Sequence, residues 1–252
     1  MKTLVANWKM NPQKLAEAEE LFEYTIAESA KYPNVKTIIC PPFVFIEELS
    51  KFLQTTNYKL QTSIGSQNIF WESKGAYTGE ISTEMLKNFG VSHVLVGHSD
   101  RRYVIGETDE EINKKIKAAL LTDITPVLLV GEREGENREE ILRKQLSADL
   151  AGVSAPHLGK ILFAYEPVWA ISTNPNAKPD TPENTLKAIT FINNLLAISY
   201  KLPAISCLYG GSVNEKNIVD FLKHPEISGA VVGGASLRKE EFGKMLNLVS
   251  TI

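Results

Sequence analysis

The sequence predicts an α/β fold, a single-domain (β/α)8 barrel occupying residues 1–252. Three observations predict it. Eight short runs rich in Val, Ile and Leu have the length of buried parallel strands. Stretches with apolar residues at helical spacing lie between them. No linker, low-complexity tract or shift of composition divides the chain, whose 252 residues match the usual size of one such barrel.

In chain order, the predicted strands are 3–8, 35–40, 59–64, 91–97, 125–131, 160–166, 204–209 and 229–233. A first helix over 12–30 carries Leu15, Ala18, Phe22 and Ile26 on one stripe. Thr108-Asp109-Glu110-Glu111 has the pattern of a capping box, followed by Ile112, Ile116 and Ala119 on one face. Thr181-Pro182-Glu183 places a cap before a proline at the first helical position, and Leu186, Ile189 and Ile192 follow. Residues 139–150, 214–222 and 239–248 supply further helices.

Composition narrows the function. The net charge of −3 and the lack of a basic stripe argue against nucleic acid as a partner. No apolar run reaches membrane-spanning length and no leader pattern precedes the first one, so no membrane partner and a cytoplasmic location are expected. Cys40 and Cys207 sit in apolar runs and read as buried thiols. His93, His98, His157 and His224 show no metal-ligand spacing, so no metal is expected.

A barrel of this kind carries its chemistry just after its strands. In Ala164-Tyr165-Glu166-Pro167 the period of two puts Leu162, Ala164 and Glu166 on the inward face, and Pro167 stops the strand. Glu166 is thus a carboxylate at the barrel rim, the place for a general base. Strand 1 ends Asn7-Trp8-Lys9, with Asn7 and Lys9 inward beside Val5; a lysine there calls for an anionic partner. Strand 4 ends Gly97-His98-Ser99-Asp100, with His98 read as sharing the inward face of Val94 and Val96, and His93 and Leu95 facing the helices. A short helical turn from Ser99 would favour the neutral imidazole. Paired glycines follow strands 7 and 8, in Tyr209-Gly210-Gly211-Ser212 and Gly233-Gly234-Ala235-Ser236, and suit an amide nest for phosphate.

Six segments together resemble the triosephosphate isomerase family from end to end: 6–11, 75–82, Gly97-His98-Ser99, 164–171, 209–213 and 232–237. The resemblance implies a TIM barrel that interconverts dihydroxyacetone phosphate and D-glyceraldehyde 3-phosphate, in glycolysis and gluconeogenesis, through an enediol(ate) and without cofactor. By resemblance Glu166 moves the carbon-bound proton, His98 polarises the carbonyl and shuttles a proton between the two oxygens, and Lys9 offsets substrate charge with Asn7 and Trp8 beside it. The amides of Ser172, Ser212, Gly233 and Gly234 would hold the phosphate, and Ser99 and Asp100 would support the site. Residues 167–178 resemble a closing lid. Residues 75–79, with Thr78 at the tip, resemble a loop that inserts into a second subunit, which implies a homodimer.

The sequence departs from the family pattern at four places. Asp100 stands where glutamate is usual. Ser172 and Asn174 replace two lid-tip glycines, and the lid exit over 175–180 is about three residues longer than usual. Leu129 replaces a strand-5 cysteine. Two other readings share features of this chain: a different phosphate-binding barrel enzyme, such as a sugar-phosphate epimerase, and a catalytically weak or non-catalytic barrel that binds a small phosphorylated ligand. Neither needs Lys9, His98 and Glu166 together. The phosphate is expected to be held chiefly by backbone amides, because basic residues are nearly absent beside them.

Overall fold

A computed structural model describes residues 1–56, 61–174, 176–203 and 205–252. Eight parallel strands close into a barrel in sequence order. They are β1 (Lys2–Asn7), β2 (Val35–Cys40), β3 (Thr62–Ser66), β4 (His93–Val96), β5 (Thr125–Val130), β6 (Leu162–Tyr165), β7 (Cys207–Tyr209) and β8 (Ile227–Val232). β1 pairs with β8 in the register Thr3↔Gly229 to Ala6↔Val232, which closes the ring. The predicted third and seventh strands each begin on residues (59, 60 and 204) that lie outside the described set.

The helices are α1 (Leu15–Ser29), α2 (Phe43–Thr55), α3 (Thr83–Asn88), α4 (Asp109–Leu121), α5 (Arg138–Asp149), α6 (Ala155–Leu158), α7 (Pro182–Tyr200), α8 (Ile218–Leu222) and α9 (Lys239–Val249). The capping box of α4 forms with both reciprocal bonds between Thr108 and Glu111. The Thr181 hydroxyl accepts from Asn184 N at 3.2 Å and begins α7 with Pro182 in its first turn. Helices α2 and α3 were not among the expected elements. Phe45, Ile46 and Leu49 are the buried stripe of α2, and Ser82 caps α3 through Met85 N.

Alternation along each strand divides the apolar residues into two layers. Val5, Ile38, Cys40, Leu95, Val127, Leu129, Ala164, Leu208 and Val231 fill the barrel interior. Leu4, Trp8, Val94, Val96, Phe163 and Tyr165 face outward and pack with Phe22, Ile116, Leu146, Ile192 and Phe242 of the helices. The expected facing of strand 4 is therefore reversed: Leu95 is interior, and Val94 and Val96 meet the helices. Gly97 explains why His98 still reaches the mouth. Its φ of +75° breaks the alternation, and a side chain there would collide with Arg102 and the Leu129 carbonyl.

Candidate active site

The C-terminal ends of five strands, β1, β4, β6, β7 and β8, and the loops that follow them converge on one cavity of about 180 Å³, lined by Asn7, Lys9, His98 and Glu166 and by Ser172, Ser212, Gly233 and Gly234. The expected base, imidazole, cation and amide-bearing residues thus share one hollow.

After β1, Lys9 adopts a left-handed backbone, φ +52°. This conformation costs a β-carbon residue on the order of 1–3 kcal/mol. Local bonds hold it: Asn7 Oδ1 accepts Lys9 N at 3.1 Å, and Gln67 Nε2 donates to Lys9 O at 2.8 Å and Cys40 O at 2.9 Å. The ammonium of Lys9 meets Asp100 Oδ2 at 3.1 Å, so the inward lysine has an anionic partner. Trp8 is a correction. Its ring is fully buried on the opposite face of the strand and packs edge-on against Phe22 with centroids 6.4 Å apart, so it does not line the cavity.

After β4, the chain turns through a widened π-type helical turn over Asp100–Ile105. Arg102 braces this turn through Gly97 O at 2.7 Å, Asp109 at 2.6 Å and Asp149 at 2.6 Å. The turn aims Asp100 N at His98 Nδ1, 3.0 Å away. A ring nitrogen that accepts an amide proton carries none itself, so the ring is neutral with its proton on Nε2. Nε2 itself lies 3.1 Å from Glu166 Oε1.

After β6, Glu166 N donates to Val130 O at 2.8 Å, and Ser99 N donates to Glu166 Oε2 at 2.8 Å. Glu166 is buried, and this burial pushes its carboxyl above the usual carboxylate range against the opposing pull of the Ser99 amide and the Lys9 ammonium. A raised value makes the carboxylate a stronger base once it is ionised. Gly210 makes room beside it: a Cβ there would stand 3.0 Å from Glu166 Cβ.

The lid stretch starts with a single 3₁₀ turn, Val168–Ala170. Buried Glu132 receives Tyr165 OH at 2.9 Å and Trp169 Nε1 at 2.9 Å, tying the lid base to the end of β5. Lys178 forms an ion pair with Glu134, and Asn174 Nδ2 donates to Val168 O. Two expected phosphate ligands are joined here, since Ser172 N donates to Ser212 Oγ at 2.7 Å. Pro175, in the longer lid exit, lies outside the described residues. Thr78 is exposed, on a loop where Phe70 packs on Trp71 and Tyr77.

Sequence reasoning missed Arg238 and Asn214, which also line the cavity, and Gln67, which anchors Lys9. Arg238 corrects the expectation of a phosphate end without a nearby basic side chain. The signal available was its position four residues beyond Gly234, one helical turn away. Among the described residues no group of three His, Cys, Asp or Glu side chains is placed to hold a metal.

A family model described as triosephosphate isomerase matches residues 2–249 of the chain. The triosephosphate isomerase of Dictyoglomus thermophilum is 43% identical over 245 residues, 96% of this chain and 96% of that protein. That of Aquifex aeolicus is 43% identical over 252 residues, 97% of this chain and 98% of that protein. That of Caldanaerobacter subterraneus is 42% identical over 251 residues, again with 97% and 98% covered.

Proposed function

The chain belongs to the triosephosphate isomerase family, and from that premise we propose that Glu166, His98 and Lys9 carry the family's reaction here. The protein interconverts dihydroxyacetone phosphate and D-glyceraldehyde 3-phosphate, a step of glycolysis. The observation that supports the residue roles is the convergence of an ionisable buried carboxylate, a neutral imidazole and an ammonium on one cavity.

In the proposed mechanism the phosphate lies against Ser212, Gly233 and Gly234, and the reacting carbons reach Glu166. Glu166 removes the proton from the carbon beside the carbonyl. His98 Nε2–H donates to the carbonyl oxygen, and Lys9 offsets the developing negative charge. The imidazole then moves a proton between the two oxygens, and Glu166 returns its proton to the neighbouring carbon. The bound proton changes carbon and no electrons leave the substrate. The lid excludes water, which matters because an enediolate with an adjacent phosphate can expel it. A coupled assay of triose phosphate isomerisation on the parent and on Glu166→Gln tests the assignment. Retained turnover in the variant removes Glu166 from the role of base.

The homodimer belongs to the same proposal. A hollow of about 400 Å³ beside the site is lined by Lys9, Met10, Phe43, Gln67, Asp100 and Ile105, among others. Met10 is 82% and Ile105 65% exposed, and Val44 beside Phe43 is 81% exposed. An apolar-rimmed socket of this kind suits the loop of residues 75–79 from a second copy, with Thr78 at its tip. Sedimentation tests it: Thr78→Arg is expected to yield monomer with depressed activity, and a monomeric parent overturns it. Residues 1–252 are taken as one domain, supported by the β1–β8 pairing and by α1 packing against α9. A cytoplasmic location fits the two free, buried thiols and the lack, among the described residues, of a helix able to cross a membrane.

A further inference from the structure

The cavity that receives the substrate is unevenly charged. Its lining holds three ionised side chains: Lys9, Glu166 and Arg238. The Lys9 ammonium is already answered by Asp100 at 3.1 Å, and a Cβ added at Gly233 would stand 3.8 Å from Lys9 Cε. Arg238 is the second cation beside the Gly233–Gly234 pair. Its Nη1 donates to Gly234 O at 3.1 Å, and an added Cβ on Gly234 would stand 3.8 Å from that same nitrogen. Its Nε pairs with Glu241, which does not line the cavity. The guanidinium is thus held beside Gly234 by its Nη1, which bonds that residue's carbonyl, while Glu241 takes its Nε.

We infer that Arg238 is a positioning residue for the substrate's phosphate, drawing the dianion into the amide cradle without itself being spent on the reacting carbons. The inference rests on the reading of Ser212, Gly233 and Gly234 as the phosphate end. Its physical basis is long-range attraction. A dianion gains from a cation a few ångströms beyond its first contacts, and the gain acts on capture of the ligand more than on its chemistry. Arg238 has a 60% exposed side chain, so salt screens this attraction, with a Debye length of about 10 Å at 0.1 M. Glu241 restrains the effect, since its carboxylate partly cancels the guanidinium.

The experiment compares the parent, Arg238→Gln, Arg238→Lys and Glu241→Gln as full-length enzymes. At low ionic strength Arg238→Gln is expected to raise KM and the inhibition constant of inorganic phosphate about 3- to 10-fold, with kcat within about twofold, in the range of a single screened charge. The difference should close as salt is raised to about 0.5 M, where the Debye length falls towards 3 Å. Arg238→Lys should restore most of the loss. Glu241→Gln should shift KM the opposite way. An unchanged KM and an unchanged salt dependence in Arg238→Gln overturn the inference, and so does a loss that Lys does not restore. Inorganic phosphate also separates the two readings. If it fails to compete with substrate in the parent, the phosphate end is misplaced; if it competes equally well in parent and Arg238→Gln, only the role of Arg238 falls.

Discussion

His98 Nε2 lies 3.1 Å from Glu166 Oε1 while Asp100 N–H occupies the other ring nitrogen at 3.0 Å. The backbone thus decides which imidazole nitrogen carries the proton, and the carboxylate is stationed beside it. A substrate carbonyl arriving at Nε2 replaces a contact that already exists in the free site.

Glu166→Gln keeps the shape of the side chain and removes the base. We expect kcat to fall by at least ~10²-fold, the low end of what general-base catalysis contributes. Because burial raises the Glu166 carboxyl, the acid limb of kcat/KM should lie above the ordinary glutamate value near 4.5. An acid limb at or below that value would show that burial does not govern the base.

Asp100, one methylene shorter than the glutamate usual at its place, reaches Lys9 directly at 3.1 Å, while its carboxylate stands 3.7 Å from His98 Nδ1. Asp100→Ala should therefore lower kcat/KM by freeing the ammonium, whereas Asp100→Glu should keep or raise it. Its backbone amide survives both changes, so the tautomer of His98 should not alter. Steady-state kinetics of the two variants decide it; an Ala variant equal to the parent makes Asp100 a bystander.

Gly234 faces the phosphate end, with its nearest outside neighbour, Arg238 Nη1, at 3.8 Å from a built Cβ. A β-carbon at Gly234 therefore meets the chain only at ordinary contact distance, and the branches of Gly234→Val occupy space a phosphate needs. KM should rise, or binding of a phosphate-bearing inhibitor disappear, with unchanged circular dichroism. Undiminished affinity places the phosphate elsewhere.

At the N-terminal end of the barrel, His93 Nε2 accepts from Lys36 Nζ at 3.0 Å, and its Nδ1 lies 2.7 Å from Ser92 Oγ. Burial, with Lys36 adding to it, pushes the imidazole down to about 3. An unfolded histidine titrates near 6.5, so as pH falls below that value the unfolded chain gains a proton the folded one refuses. The neutral-ring stability is whole above about pH 6.5 and drains away towards pH 3. Between pH 7.5 and 5 the loss should be about 2 kcal/mol at 1.36 kcal/mol per unit. Urea unfolding of parent and His93→Gln at both values measures it, and equal slopes with pH would remove His93 as the source.

Much of this was legible because alternation and strand ends are local. Glu166, Lys9 and His98 could be placed at the rim from their positions after apolar runs. The facing of β4 was not legible, because only the φ of Gly97 tells that the alternation resets before His98. Trp8 illustrates the opposite error: family likeness drew it to the substrate, although strand parity turns it outward. Gln67 reaches the site through tertiary folding, and no short-range pattern encodes its bond to Lys9, whereas Arg238 had a local signal, one helical turn beyond Gly234.

The lid makes the last prediction. Its tip lacks both usual glycines, yet it is bonded along its length: Trp169 to Glu132 at 2.9 Å, Asn174 to Val168, Lys178 to Glu134, and Ser172 N to Ser212 Oγ at 2.7 Å. The last of these occupies the very amide that a phosphate would accept from. Closing on substrate therefore requires exchange of the Ser172–Ser212 bond, and any rotation of the base of the lid must loosen Trp169 from the buried Glu132. The Lys178–Glu134 pair is exposed and contributes little, but the partly buried Trp169–Glu132 bond is costly to break without a replacement. We accordingly expect a working lid whose motion, rather than proton transfer, limits turnover. Measurements of kcat in buffers of rising viscosity, and with substrate deuterated at the transferred position, test this. The lid-limited enzyme shows a viscosity-dependent kcat and a small isotope effect, and Trp169→Phe, which removes the indole donor, shifts kcat while leaving the reacting groups in place. A large primary isotope effect with no response to viscosity assigns the limit to proton transfer instead.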